Sequence, residues 1–172
     1  MNIVLIGYRG TGKTAVGWRL AKALGREFVD TDDVIVRETG KSIPRIFAES
    51  GEAGFRKVEG SVIERVSKKD NCVISAGGGA VVREASVRAL KANGIVFLLE
   101  AGPKTIFGRI GKDGNRPALT ERNKLEEIEH VLRERKPLYE RAADYRVDGE
   151  KFSVEENVSQ IIEMLKKRGE LK

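Results

Sequence analysis

Gly7-Tyr8-Arg9-Gly10-Thr11-Gly12-Lys13-Thr14 fits the pattern G-x-x-x-x-G-K-[ST] of a phosphate-binding loop, and its flanks are those such a loop requires. Before it, Asn2-Ile3-Val4-Leu5-Ile6 is a short, β-branched apolar run, as expected of a strand buried on both faces. After it, Val16, Leu20, Ala23 and Leu24 fall at helical spacing, which predicts a helix from Lys13 to Leu24. Glycines let such a loop curl until successive N–H groups point inward, and the helix N-terminus adds partial positive charge. Gly10, Thr11, Gly12, Lys13, Thr14 and Ala15 are therefore the expected phosphate-binding run. Lys13 is placed to reach the β- and γ-phosphates, and the Thr14 hydroxyl suits Mg²⁺, so the expected ligand is a Mg-nucleotide.

The rest of the composition narrows the setting. A chain of 172 residues is long enough for one domain with its own core, and no repeat, linker or low-complexity tract divides residues 1–172. With 40% hydrophobic and 34% charged residues it reads as globular, and no apolar run approaches the length of a membrane span. The first strand begins at once, with no charged-then-apolar signal region, so a cytoplasmic enzyme is expected. The single cysteine, Cys72, opens the apolar run Cys72-Val73-Ile74-Ser75 and reads as a buried, inert thiol. The net charge of +6 raises the question of nucleic acid. The basic residues are spread along the chain and mixed with acids, without interleaved aromatics, which argues against that partner. A monomer is expected.

Strands and helices alternate. Glu27 to Val29 reads as a strand, followed by Asp30-Thr31-Asp32-Asp33 and a helix to about Thr39. Ser42 is placed to cap a short helix through Ala48 that Gly51 ends, and Phe55, Val58, Val62, Ile63 and Val66 make an amphipathic helix of Glu52 to about Lys69. Further strands are predicted at Val73 to Ser75, Ile95 to Leu99 and Tyr145 to Val147. Further helices are predicted at Glu84 to Ala92, Pro103 to Ile110, Lys124 to about Arg135, a short turn from Pro137 through Arg141, and a last helix capped by Ser153. Gly111 to Asn123 has glycines, Arg116-Pro117 and no apolar period, so it is expected to be a mobile loop. This alternation implies an α/β fold: a parallel sheet covered by helices on both faces, with ligands at the carboxyl ends of the strands.

Asp30, Asp32 and Asp33 follow a strand, where carboxylates hold Mg²⁺ or accept a proton. Strand alternation puts Asp30 and Asp32 on one side, with Asp33 or Thr31 left to cap the next helix. The strand Val73-Ile74 ends in Ser75 where many phosphate-loop enzymes have a metal-binding aspartate, so Asp30 is the candidate to replace it. Gly77-Gly78-Gly79 suits close backbone approach to a small ligand better than mere connection, although a flexible turn remains the alternative. Arg56, Arg109 and Arg135 cannot be told from surface arginines on pattern alone, whereas Arg116, in its glycine-flanked loop, reads as a residue that closes over a transferring phosphate. His130, among glutamates on a charged helix, reads as solvated.

Taken together, Gly7 to Thr14, Asp30-Thr31-Asp32, Gly51-Glu52-Ala53-Gly54-Phe55-Arg56, Gly77-Gly78-Gly79-Ala80, Arg116-Pro117-Ala118-Leu119 and Arg135-Lys136-Pro137-Leu138-Tyr139 give a chain that resembles the shikimate kinases over essentially its whole length. The resemblance implies a three-layer α/β/α fold of the P-loop, nucleoside-monophosphate-kinase-like kind, with a central five-stranded parallel sheet. It also implies a substrate-binding segment at about 31–60, a lid at about 111–123, ATP and shikimate as substrates, and Mg²⁺. It assigns Asp32 to the ring hydroxyls and to the base role. Arg56, Arg135 and the Gly78 N–H fall to the substrate carboxylate, and Lys13 and Arg116 to the transferring phosphoryl group. Thr14 falls to the metal directly, Asp30 to it through water, Arg109 to the neighbourhood of the adenine, and Phe47 and Phe55 to the pocket wall. Thr11 and Thr14 stand where many members have serine, and the loop after Val147-Asp148 has no arginine to assign. Another small-molecule phosphate-loop kinase, such as one for gluconate, and a nucleotide-gated module without turnover are the alternatives.

Overall fold

The computed structural model of the chain describes residues 1–110 and 123–171. Among these, strands β1 (Asn2–Ile6), β2 (Glu27–Asp30), β3 (Cys72–Ser75), β4 (Gly94–Glu100) and β5 (Tyr145–Asp148) form one sheet in the order β2-β3-β1-β4-β5. All neighbouring pairs are parallel. The connecting helices are α1 (Lys13–Leu24), α2 (Thr31–Thr39), α3 (Ile43–Ser67), α4 (Glu84–Ala92), α5 (Pro103–Ile110), α6 (Lys124–Ala142) and α7 (Val154–Lys167).

The all-apolar strands are explained by burial on both faces. In β1, Val4 and Ile6 face a cluster with Ile35, Phe55, Ile63 and Tyr139, while Ile3 and Leu5 face one with Val16, Leu20, Ile161 and Leu165. Each such side chain, fully buried, contributes roughly 1.5–3 kcal/mol. The result is a three-layer α/β/α arrangement with β1 at its centre. Because the chain leaves β1 between β3 and β4, the loop after β1 opens at the point where the strand order reverses, which is where a ligand crevice forms.

Three local expectations change. The carboxylate that caps α2 belongs to Asp30, whose side chain accepts the Asp32 N–H at 3.0 Å, and not to Asp33 or Thr31. Strand alternation therefore does not govern this stretch: β2 ends at Asp30 and the helix has begun by Thr31. Pro137 does not separate a helix from a turn either, since α6 is continuous through it. Buried Ile128 and Val131 before the proline, and Tyr139 and Ala142 after it, hold both halves onto the same core, and that packing outweighs the one hydrogen bond proline cannot make. Gly51 does break the helical geometry as expected, with φ 66° and ψ −176° inside α3.

The predicted lid lies outside the described residues, Arg116 with it; only Asn123 is described, and its side chain caps α6. Among the described residues, no helix is long and apolar enough to cross a membrane.

Candidate active site

The loop between β1 and α1 is built on glycine. Gly7, Gly10 and Gly12 take φ of 140°, 80° and 100°, values that other residues rarely reach, and a Cβ on Gly7 would stand 2.3 Å from the Leu99 carbonyl oxygen. The Thr11 hydroxyl turns inward and donates to the Tyr8 carbonyl at 2.8 Å. Lys13, buried at the start of α1, lies across the loop and donates to the carbonyls of Gly7 and Tyr8 at 2.8 and 2.9 Å.

Gly10, Gly12, Lys13, Thr14 and Ala15 share one cleft, of about 370 Å³, with Asp30, Asp32, Gly77, Gly78 and Arg109. Ser75 is small and sits beside Asp30 in the sheet register, so the Asp30 carboxylate reaches past it to the phosphate loop. There Asp30 Oδ2 accepts the Thr14 hydroxyl at 3.0 Å. A hydroxyl and a carboxylate oxygen at a helix N-terminus are hard donors suited to Mg²⁺ shared with phosphate oxygens; they do not make an all-protein cage. Among the described residues, no group of three or more acidic, His or Cys side chains is gathered to hold a metal alone.

Asp32, in the first turn of α2, faces the glycine loop: a Cβ on Gly77 would come within 2.9 Å of its Oδ1 and 2.6 Å of Glu59 Oε1. None of Gly77, Gly78 and Gly79 has a positive φ, so close approach is what excludes larger residues here. On Gly78 a Cβ would lie 3.2 Å from the Arg9 backbone nitrogen, and on Gly79 it would lie 2.2 Å from the Arg56 guanidinium. The loop is thus held between the phosphate loop on one side and α2 and α3 on the other.

Arg56 is mostly buried and is gripped by Glu59 at 2.6 Å and Glu52 at 3.1 Å. Burial works against its charge, but Glu59 and then Glu52 overcome that, and the guanidinium is held above its ordinary pKa. Arg135, from α6, donates to the Gly78 carbonyl at 3.2 Å, and the buried Tyr139 hydroxyl donates to the same oxygen. Phe47 and Phe55 stack at 4.7 Å; Phe55 is wholly buried, which leaves Phe47 as the ring with surface to offer. Arg109 joins the Gly10 carbonyl, at 3.1 Å, to that of Gly149, at 2.8 Å. It thereby ties the phosphate loop to the segment after β5 that the sequence left without an assigned contact. His130 is part-exposed and lies 3.4 Å from Glu134, away from this cleft.

Glu59, Tyr139 and the ion pair of Arg9 with Glu127, at 3.4 Å, were not singled out from sequence. Glu59 had a signal: it is a charge on the apolar stripe of α3, three residues after Arg56. Glu127, fully buried on α6, and Tyr139 act across 118 and 61 residues of chain, a distance no local pattern spans. A second cavity of about 400 Å³, lined by Leu99, Pro103 and Leu132 among others, lies between β4 and α6; it contains neither Lys13 nor Asp32, so it is not the cleft where these groups meet.

Comparison with known proteins places the whole chain. The family model described as shikimate kinase matches residues 9–166. The chain is 45% identical to the shikimate kinase of Pelotomaculum thermopropionicum over 165 residues, covering 96% of this chain and 95% of that one. It is also 45% identical to the shikimate kinase of Thermodesulfovibrio yellowstonii, covering 94% of this chain and 92% of that one. In structure it is similar to the shikimate kinase of Acinetobacter baumannii in complex with shikimate, with a TM-score of 0.94 at 36% identity, over 99% of this chain and 95% of that one. A chain that shares sequence with these enzymes along nearly its full length, and a fold with the shikimate-bound one, belongs to the shikimate kinase family, phosphotransferases with an alcohol acceptor.

Proposed function

We propose that this single domain transfers the γ-phosphoryl group of ATP to the 3-hydroxyl of shikimate, giving shikimate 3-phosphate and ADP, as a cytoplasmic monomer. The observation that carries the reading is that Lys13 and Thr14 share a cleft with Asp32, Gly77 and Gly78, with Arg135 on the Gly78 carbonyl and Arg56 against Gly79. Donor and acceptor groups thus share one cleft, in the kind of preset arrangement on which phosphoryl transfer depends.

In this reading Arg56, Arg135 and the Gly78 N–H take the acceptor's carboxylate, which fixes the ring so that its hydroxyls face Asp32. Asp32 accepts a hydrogen bond from the attacking hydroxyl and takes its proton as the new O–P bond forms and the bond to ADP breaks. Lys13 follows the phosphoryl oxygens as their charge shifts toward the leaving ADP, and Arg116, outside the described residues, joins it there. The loop from Gly10 to Ala15 holds the donor phosphates, and Arg109 lies beside the adenine. Thr14 directly and Asp30 through water would hold Mg²⁺, which would supply charge neutralisation for the phosphates when bound.

The reading is tested by coupled ADP release from Mg-ATP with shikimate, gluconate or a nucleoside monophosphate as acceptor, repeated with Asp32→Asn. Shikimate alone should support turnover, and Asp32→Asn should lower kcat by about 10²–10⁴-fold with little change in ATP affinity. Turnover with gluconate or the monophosphate instead would overturn the acceptor, and an unchanged kcat in the variant would remove Asp32 as base.

A further inference from the structure

The three glycines are held through their carbonyl oxygens. Gly77 O accepts from the Ala80 N–H at 3.0 Å, and Gly79 O accepts from the Val82 N–H at 3.0 Å. Gly78 O accepts from both Arg135 and Tyr139. Of the N–H groups, that of Gly77 donates to the buried Thr31 hydroxyl at 3.0 Å, while those of Gly78 and Gly79 have no acceptor among the described residues. The loop is therefore a pair of aimed donors whose backs are fixed.

One of these peptide units is weak by composition. The unit joining Gly78 to Gly79 is flanked by glycine on both sides, so it meets the least resistance to rotating through half a turn. In a trans peptide the carbonyl and N–H point in opposite directions, so whatever holds Gly78 O also decides where Gly79 N–H points. A flipped unit would offer a carbonyl oxygen to an anion in place of an N–H. Arg135 alone is a poor guard, because a guanidinium that must also serve a carboxylate divides its donors between the two. Tyr139 has no carboxylate to serve: it is 4% exposed, its ring is packed in the core of α6 and the sheet, and its hydroxyl, bonded in turn by Arg135, donates to Gly78 O.

We infer that Tyr139 is a positioning residue for acceptor binding, its buried hydroxyl locking the Gly78–Gly79 peptide so that the Gly79 N–H, and not the Gly78 carbonyl, is turned to the acceptor's carboxylate. The inference rests on the proposed reading of Arg56, Gly78 and Arg135 as the carboxylate clamp and adds the Gly79 N–H to it, since the Gly78 N–H belongs to the preceding peptide, whose carbonyl Ala80 holds. Tyr139 touches no substrate; it acts through the Gly78 carbonyl.

Tyr139→Phe deletes the hydroxyl and keeps the ring. Steady-state kinetics of the full chain, varying shikimate and Mg-ATP separately, should show the KM for shikimate rising about tenfold while the KM for ATP stays within about twofold, the loss of one buried hydrogen bond. Arg56→Ala and Arg135→Ala are measured beside it. If both arginine variants raise the KM for shikimate while Tyr139→Phe leaves it unchanged, or raises both KM values equally, the inference on Tyr139 is overturned and the clamp stands. If neither arginine variant raises it, the clamp reading itself falls and takes the inference with it.

Discussion

Asp30 serves two neighbours at once: one carboxylate oxygen caps α2 through the Asp32 N–H and the other accepts the Thr14 hydroxyl. Two functions on one side chain can be separated, because asparagine is as good a helix cap as aspartate but carries no charge. Asp30→Asn should keep the unfolding midpoint and raise the Mg²⁺ concentration for half-maximal turnover several-fold. Asp30→Ala should do the same to Mg²⁺ and also cost about 1 kcal/mol of stability. Mg²⁺ titrations after EDTA treatment, with urea melts, check both; an unchanged Mg²⁺ requirement in Asp30→Asn would remove it from the metal's surroundings. At this scale the sequence was legible where chemistry is local. The spacing of Gly12, Lys13 and Thr14 is itself the phosphate-loop signature, whereas the cap on α2 depends on where β2 stops, and a one-residue difference moved it from Asp33 or Thr31 to Asp30.

At the scale of elements, α6 is the bridge between the two halves of the cleft. Its first turns bring Glu127 to Arg9 of the phosphate loop, and its later turns bring Arg135 and Tyr139 to Gly78. Continuity through Pro137 matters for this reason, since a break there would uncouple the two contacts. The proline is a strong local stop signal, and only packing on Ile128, Val131, Tyr139 and Ala142 overrides it, a tertiary effect that a short window cannot contain. The same burial pushes the Tyr139 pKa up to about 12, against a counter-effect from Arg135. The proton is thus held more tightly in the folded chain than in the unfolded one. Its contribution to stability is fully present below the ordinary tyrosine value near 10, and is lost as pH rises from there through 12. At pH 11 the wild type should have lost on the order of 1 kcal/mol that Tyr139→Phe cannot lose, so the stability gap between them narrows. Urea midpoints at pH 9 and 11 measure this, and curves that stay parallel would contradict it.

The whole molecule follows from placing β1 between β3 and β4. Loops from β1, β2 and β3 then open on the same edge of the sheet, bringing Lys13, Asp32 and Gly78 together from positions up to 65 residues apart in sequence. Alternating strands and helices made the layers legible, and the phosphate loop marked the donor half of the cleft. On the proposed acceptor side Asp32 and the three glycines carried a signal of their own, but the two arginines were legible only through resemblance, because Arg56 and Arg135 look like any helix arginine until Gly78 and Gly79 are seen against them. The central claim is that these halves form one transfer site for ATP and shikimate. Its most direct test is ³¹P and proton NMR of a reaction of purified chain with shikimate and Mg-ATP. The account predicts one shikimate phosphate, esterified at the 3-hydroxyl, for each ADP formed. ADP accompanied only by inorganic phosphate, or phosphate on a different hydroxyl, would contradict it.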